Sequence, residues 1–552
     1  MRRVLSLGLI GAATAAVGLG AASGARITGT PGPDRLNGTA LADTLRGFDG
    51  DDRLDGGAGP DLLAGGAGRD VLLGGTGGDR LVAQDDAERD TVRCGAGRDI
   101  VTLGLEDTPA ADCEVVTQQL SSDPYLDFRS QHQTQVEPDS FAVGSMVVTA
   151  FQAGRLVDGG ANDIGWATST DAGRTWRSGF LPGLSVYSNP PGSLGSVSDP
   201  VVAYDAAHGV WLIAAVGIAG QTQIVVSRSR DGIAWEPPIL AAGEAKEDYD
   251  KEWLVCDGWA TSRFYGRCYV SYLDFESGEI RVRHSTDGGR SWSAPVGSPG
   301  RTRSGVANGA QPVVRPDGTI VMTYAVSAAF DFYADPNASS IDAVRSTDGG
   351  LSFSAPVRVS RLDEEYVRNM RAPSLPSSEV ARDGTVYVVC SDCRFREECG
   401  ANDAVISSSA DGVRWSAPQP IPVESPSSGN HIFVPALAVD PTTSGARTRL
   451  AVAYYRLDVD CISPCGGVDA GLIRSADGGR TWGAPQRLTA ETMKLDWIAL
   501  TGTGRFLGDY ISTSYAAGRP VPVFAVASQP VFGELRQAIF AGTRVGDGLT
   551  GR

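Results

Sequence analysis

Leucine returns every nine residues near the amino end, at Leu36, Leu45, Leu54, Leu63, Leu72 and Leu81, and each stands two residues after an aspartate: Asp34, Asp43, Asp52, Asp61, Asp70 and Asp79. The units read GTPGPDRLN from Gly29, then GTALADTLR, GFDGDDRLD, GGAGPDLLA, GGAGRDVLL and GGTGGDRLV, which ends at Val82. A strict period of nine is an architectural signal: each unit forms one short strand and one turn, and its apolar face is buried only by stacking on its neighbours. The leucine points into that stack, the glycines permit the tight turn, and the aspartates line the turns. Copies one and two are weaker, with Leu41 and Ala42 beside Asp43, while CGAGRDIVT around Cys94 is a degenerate further copy. A parallel β-roll is predicted over residues 26–120.

From about Ser121 the pattern changes to longer apolar strands rich in β-branched residues. Seven units open with a polar residue and often a proline, then run strand, turn, strand; they begin at Glu137, Asp199, Glu252, Gln311, Ala372, Val434 and Gly508. Six of them end in Ser-x-Asp-(x)-Gly-x-x-aromatic, centred on Asp171, Asp231, Asp287, Asp348, Asp411 and Asp477. In such a turn the Asp and Ser side chains bond nearby backbone N–H groups, glycine supplies a positive φ, and the aromatic anchors the hairpin. These are structural devices. The seventh unit lacks the turn and its fourth strand, so a strand near Phe128 to Gln135 is expected to complete it and close a ring.

Two resemblances follow from these motifs. Residues 29–82 resemble the haemolysin-type RTX calcium-binding repeats, which implies a parallel β-roll with Ca2+ held at Asp34, Asp52, Asp61, Asp70 and Asp79. Calcium takes six to eight oxygen ligands, from carboxylates and backbone carbonyls. The Ser-x-Asp-Gly-x-x-Trp turn resembles the Asp box, or BNR motif, and residues 121–552 are similar over their length to the sialidase superfamily. The implied fold is all-β, an N-terminal parallel β-roll followed by a β-propeller of four-stranded blades, with seven blades favoured over six. In that family the boxes lie away from the active site, so they speak for the fold and hardly for the reaction.

Composition adds the setting. Met1 to Ala25 has Arg2 and Arg3, an apolar stretch from Val4 to Ala22 and small residues at its exit, the form of a secretory signal peptide. No later stretch is apolar for the eighteen or so residues of a membrane span. Lysine is scarce, only Lys246, Lys251 and Lys494 among 48 basic residues, which suggests a GC-rich bacterial genome. The formal net charge is −17, and residues 26–120 carry 18 acidic residues against 9 arginines. That balance argues against nucleic acid and for divalent cations as partners. Nine cysteines in an exported chain predict disulfides. The local pairs are Cys94–Cys113, Cys256–Cys268, Cys393–Cys399 and Cys461–Cys465, with Cys390 left over or displacing Cys393. A secreted or cell-surface monomer is expected.

The candidate chemistry lies where the innermost propeller strands enter the central channel. Aligning the units by their openings brings Glu137, Asp199, Glu252, Gln311 and Asp509 to matching positions, with Arg371 one residue earlier in its unit. Close carboxylates there act as acid and base, hold a cation, or cap the strand starts. Arg368, Arg371 and Arg505 converge on the mouth in this reading, and Tyr510 beside Asp509 is an available phenol. Asp509, Tyr510, Arg371 and Glu252 are the catalytic candidates; Glu137, Asp199, Gln311, Arg368 and Arg505 are the binding candidates at the channel mouth. The resemblance to sialidases carries over no catalytic residue: the Arg-Ile-Pro motif expected before the first box is missing, and Arg129 and Arg155 stand in unrelated contexts. The readings are a non-catalytic propeller that binds glycans or surface partners, an exo-acting glycoside hydrolase, and other propeller chemistry such as a lyase.

Overall fold

The computed structural model describes residues 24–84, 88–109, 111–157, 159–243, 248–298, 306–327, 340–459, 466–531 and 533–545. The stretch read as a signal peptide, up to residue 23, and the expected Cys461–Cys465 pair lie outside them. The chain is all-β: no α-helix occurs among the described residues, only short 3-10 turns.

The nonapeptides build a parallel roll. Arg26–Thr28, Thr44–Asp49, Leu62–Ala67, Arg80–Ala83, Ile100–Leu103 and Val115–Gln119 form one face. Arg35–Asn37, Arg53–Asp55, Val71–Thr76, Thr91–Ala96 and Thr108–Pro109 form the other. Two nonapeptides therefore make one coil, and Thr44 pairs with Leu62, which pairs with Arg80. The leucines at 45, 54, 63, 72 and 81 are wholly buried between the faces, as their register predicts. Cys94 and Cys113 are bridged at the end of the coil.

Successive antiparallel strand groups follow. The first is Gln135–Val143, Met146–Arg155, Ala161–Ser169 and Arg177–Phe180; the second is Ser196–Asp205, Val210–Ile218, Thr222–Ser229 and Ile239–Ala242. One pair, Ala161 with Val197, joins these two into an eight-stranded sheet. Separate four-stranded sheets begin with Tyr249–Cys256, Val306–Val314 and Ser377–Val380, and a five-stranded one with His431–Val439. The last group is Ser512–Ala516, Arg519–Val531 and Glu534–Arg544. Each group's first strand packs against the first strand of the next, and Ser512–Ala516 packs against both His431–Val439 and Gln135–Val143. At the far end of the third strands, six Ser-x-Asp turns share one hydrogen bond, from the Ser hydroxyl to the Asp Oδ1. In one of them Asp287 accepts hydrogen bonds from Ser285 and Ser291 hydroxyls and from the Arg290 and Ser291 amides.

One expectation is corrected. The strand that completes the last group is Val115–Gln119, the final strand of the roll, paired antiparallel with Glu534–Arg544. Residues near 128–135 meet Glu534–Arg544 at one parallel bridge only, Thr134 with Gln537, where the Gln537 amide donates to the Gln133 carbonyl at 2.8 Å, and Gln135 then opens the first group. Val115–Gln119 already pairs with Ile100–Leu103 on one side, which leaves its other edge to be covered. The result is one nine-stranded sheet running from the roll into the main body. Around this seam the Thr117 hydroxyl donates to the Leu488 carbonyl at 2.8 Å, and Arg46 pairs with Glu491.

Disulfides form at Cys256–Cys268 and Cys393–Cys399 as well, with Cys390 free and buried.

Candidate functional site

Five of the seven first strands carry a one-residue bulge at the same level. The ladder slips between Val136 and Asp139, Ser198 and Val201, Asp250 and Trp253, Asn308 and Gln311, and Phe433 and Ala436. Within each bulge one residue is left-handed: Glu137 (φ 53°), Asp199 (φ 49°), Lys251 (φ 49°), Gly309 (φ 62°) and Val434 (φ 49°). A bulge re-aims the side chain of its extra residue. Four of these are non-glycine residues in a costly conformation, a mark of over-determined functional geometry.

The re-aimed chains at Glu137, Asp199 and Lys251 meet. Lys251 Nζ lies 3.1 Å from Glu137 Oε1, 2.7 Å from Asp199 Oδ1 and 2.9 Å from Asp509 Oδ2. One ammonium thus spends its three donors on three carboxylates, and no two of those oxygens are more than about 6 Å apart, roughly twice the longest contact. Arg371 grips Asp509 with both arms of its fork, Nε to Oδ1 at 2.9 Å and Nη2 to Oδ2 at 2.5 Å. Gln152 donates to Glu137 Oε2, the Asp509 amide donates to Glu137 Oε1 at 3.1 Å, and the Ser198 hydroxyl donates to Asp199 Oδ2 at 3.0 Å. The rings of Phe506 and Tyr510 frame the cluster. Arg155 and Arg371 lie over the Phe506 ring at 4.9 and 4.6 Å, and Lys251 lies 5.2 Å from the Tyr510 centroid. Above the cluster opens a cavity of about 310 Å³, lined among others by Glu137, Asp199, Lys251, Arg155, Arg371 and Phe506.

The electrostatics separate the carboxylates. Burial opposes the charge on Asp509, yet Lys251 and Arg371 hold its carboxyl far below the usual range. Burial pushes Glu137 up to about 7, against the pull of Lys251 and with help from Asp199 and Asp509. Burial alone would strip Lys251 of its proton; Asp199, Asp509, Glu137 and Asp250 outweigh it and raise its pKa well above the ordinary value. Arg155, lowered by burial to about 10, is still cationic at neutral pH.

Glu137, Asp199, Arg371 and Asp509 are therefore neighbours in the structure. Glu252 and Gln311 are not part of their cluster: the bulges put Lys251 and Gly309, not Glu252 and Gln311, at the positions equivalent to Glu137 and Asp199. Glu252 faces the axis below the cluster, and the Gln311 side chain accepts from the Ser378 amide. Tyr510 is buried, its hydroxyl donates to the Pro200 carbonyl at 3.2 Å, and its pKa is raised well above 10 by burial, then by Glu137 and Asp199. Arg505 donates to the Ile498 carbonyl, and its own carbonyl accepts from the Arg371 amide, so it shapes the loop that carries Arg371. Arg368 is exposed. Lys251, Gln152 and Phe506 were not among the sequence candidates. The available signal was Lys251 itself, one of three lysines in an arginine-rich chain, directly before Glu252 at a strand opening.

A second candidate centre is the row of roll turns. Each aspartate's Oδ1 accepts the amide of the aspartate one coil earlier: Asp34 to Asp52 at 2.7 Å, Asp43 to Asp61 at 2.7 Å, Asp61 to Asp79 at 2.9 Å and Asp79 to Asp99 at 2.8 Å. The Oδ2 atoms of Asp52, Asp61, Asp79 and Asp99 are buried without a hydrogen-bond partner. The first glycine of each unit keeps space beside that oxygen. A methyl group at Gly47, Gly56 or Gly74 would come within 2.1, 2.6 or 2.7 Å of Asp52, Asp61 or Asp79 Oδ2. Burial raises these carboxyls, Asp61 and Asp99 to about 6. Buried, partnerless anionic oxygens in glycine-rich turns fit a hard cation that also takes backbone carbonyls. Among the described residues no group of three Asp, Glu, His or Cys side chains is placed to hold a metal ion by itself, so backbone carbonyls would have to complete the shell. Asp34 differs from the later copies: it lies at the exposed end and its Oδ2 already accepts from Thr30.

Residues 28–63 and 46–81 match the family described as the RTX calcium-binding nonapeptide repeat, in four copies. No curated protein sequence matches the chain. Among solved structures, an ulvan lyase of polysaccharide lyase family PL25 is 11% identical and covers 74% of this chain and 94% of its own, with a TM-score of 0.42. The NanB sialidase from Streptococcus pneumoniae is 13% identical over 63% of this chain and 68% of its own, TM-score 0.41. An α-L-arabinofuranosidase from Fusarium graminearum is 13% identical over 64% and 96%, TM-score 0.40.

Proposed function

We propose that the chain is an exported, calcium-dependent glycan-binding protein, in which a β-roll is fused to a seven-bladed β-propeller of Asp-box type and an anionic saccharide docks at the channel mouth. The cyclic packing of the first strands and the six matching Ser-x-Asp turns support the propeller. The observation that carries the binding reading is the saturation of the carboxylates. Every oxygen of Glu137, Asp199 and Asp509 has an internal donor from Lys251, Arg371, Gln152, Ser198 or the Asp509 amide. Carboxylates so engaged are poor nucleophiles and poor proton donors, whereas the cavity above them is lined by the part-exposed Arg371 guanidinium, backed by the buried Phe506 ring and Arg155. That lining suits a saccharide whose carboxylate or sulfate is directed to the Arg371 guanidinium. At about 310 Å³ the cavity holds one residue of a glycan rather than a long segment.

In the roll, Asp52, Asp61, Asp79 and Asp99 would hold Ca2+ with backbone carbonyls of adjoining turns, the ion supplying the positive charge their buried oxygens lack. No helix among the described residues is long and apolar enough to cross a membrane; with the amino-terminal signal pattern, this reading puts the protein outside the cell, as a monomer.

A hydrolase is the second reading, favoured by one observation: Glu137 at about 7 sits beside Asp509, which stays ionised. Two carboxyls with pKa values pushed apart are the pattern of an acid and its charged partner. A glycan array with bound calcium, run beside hydrolysis of a fluorogenic sialoside and a panel of aryl glycosides, separates the two. Binding without turnover is expected. Turnover abolished by Glu137→Gln would replace the binding reading, and neither binding nor turnover on any glycan would remove both.

A further inference from the structure

Below the Lys251 cluster the axis widens into a second cavity of about 740 Å³, lined by residues of all seven first strands. Its wall is largely carbon, from Val202, Leu254, Val313, Leu375, Leu437 and Ile511. Its charges are one-sided. Five acidic residues line it, Asp139, Glu252, Glu379, Asp440 and Asp509, against two basic ones, Lys251 and Arg449. Both basic residues are committed, Lys251 to the three carboxylates of the mouth and Arg449 to Asp440. Asp139, Glu252 and Glu379 are left with no cationic partner.

Glu252 is the most exposed energetically and the least exposed physically. It is 1% accessible, and neither carboxylate oxygen has a hydrogen-bond partner; the Thr513 hydroxyl, 5% accessible, has none either. Asp139 accepts from the Val202 amide at 2.8 Å and from the Ser512 hydroxyl at 3.2 Å. Buried anions without partners are protonated or are matched by a ligand's charge. Burial pushes Asp139 up to about 7 and, with Asp139 adding to it, Glu379 up to about 8; burial followed by Asp199 and Asp250, against Lys251, raises Glu252 well above its usual value.

We propose that this lower chamber is a second binding site, distinct from the channel mouth, for an organic primary amine with an apolar body. A bare metal ion fits poorly, since among the described residues no group of three acidic, histidine or cysteine side chains is placed to hold one. An ammonium needs only one or two carboxylate acceptors, and its carbon body replaces water along the apolar wall. The Trp253 indole, packed edge-on against Tyr510 at 5.7 Å, offers the cation an aromatic face. In the empty chamber an acid such as Glu379 holds its proton; when the ammonium docks, that acid ionises and one proton leaves to solvent, so charge balances within the site.

The test is titration calorimetry of the full chain with para-tert-butylbenzylamine and, for comparison, the isosteric para-tert-butylbenzyl alcohol, at pH 7 in two buffers of different ionisation heat. The amine is expected to bind, the alcohol roughly tenfold or more weakly, about 1.4 kcal/mol, and the amine's heat to change with the buffer because a proton is released. Glu252→Gln and Glu379→Gln, which replace an acid lacking a cationic partner with an amide of the same shape, are expected each to weaken the amine at least tenfold while melting as the parent does. Equal binding of amine and alcohol, no amine binding, or unchanged amine affinity in both variants would overturn the proposal. The amine-to-alcohol comparison on the unaltered chain stands even where a variant misfolds, and it is independent of any glycan at the mouth.

Discussion

Calcium chelation should destabilise the main body as well as the roll, because one strand belongs to both. Val115–Gln119 pairs with Ile100–Leu103 on the roll side and with Glu534–Arg544 on the other. If the roll unfolds, that strand loses its support. Val115 and Leu120, each 1% exposed and part of the main-body core, then leave it. At about 1.5–3 kcal/mol for each buried aliphatic side chain the loss is about 3–6 kcal/mol. The hydrogen bonds from Thr117 to Leu488 and from Ala490 to Thr102 add about 1 kcal/mol each. Calcium at a hundred times its dissociation constant stabilises the folded roll by about 2.7 kcal/mol per site, so a few sites suffice to hold the seam. The sum is about 5–8 kcal/mol, and with an unfolding entropy of about 2.1 cal/mol/K per residue a main body of some 430 residues should melt about 5–9 °C lower. Differential scanning calorimetry of the full chain with calcium and with EGTA resolves this. Two transitions that both fall are expected; a roll transition that vanishes while the main one stays within about 1 °C would refute the coupling. Gln537 lies on the partner strand Glu534–Arg544, and its side-chain amide donates to the Phe506 carbonyl at 3.1 Å, so the mouth should loosen along with the seam.

Further outcomes follow from single groups. Without calcium the roll should lose stability as pH rises from about 4 to about 6. Asp61 and Asp99 titrate near 6 when folded and lower when unfolded, so the folded state binds the extra protons, and the stabilisation present below the unfolded pKa is lost through the folded one; a calcium-free melt that rises over this window would contradict it. Lys251→Met strands three buried carboxylates and should cost about 3–5 kcal/mol in chemical denaturation, with Asp509→Asn in the same chain restoring part of it; a neutral effect would mean the cluster is solvated. Replacing Cys94 and Cys113 by serine frees a 19-residue loop and should lower the roll's calcium-loaded stability by about 3 kcal/mol, read as a shift of its melting transition.

How far the sequence showed these features depends on how local each one is. The roll was legible because Leu45, Leu54 and Leu63 repeat in register with Asp43, Asp52 and Asp61, and one coil predicts the next. Glu137, Asp199, Arg371 and Asp509 were legible as strand openings that meet on an axis. Lys251 was not, since a one-residue bulge exchanges it with Glu252, and a bulge leaves no mark when its left-handed residue is not glycine. The closing strand was hidden for a different reason. Val116 pairs with Arg544 across more than four hundred residues, and nothing near VVTQQ distinguishes the last strand of a roll from the missing strand of a sheet. Three of the expected cysteine pairs form between near neighbours in sequence, though spacing left open whether Cys390 or Cys393 joins Cys399.

The most direct measurement is a crystal structure of the calcium-loaded protein with an acidic oligosaccharide selected on the array. A saccharide in the mouth cavity, its anionic group on Arg371 and its glycosidic bond intact, with Lys251 still holding Glu137, Asp199 and Asp509, is the predicted result. A saccharide bound on the outer wall, or a cleaved one with Glu137 turned out of the cluster toward the scissile oxygen, would contradict it.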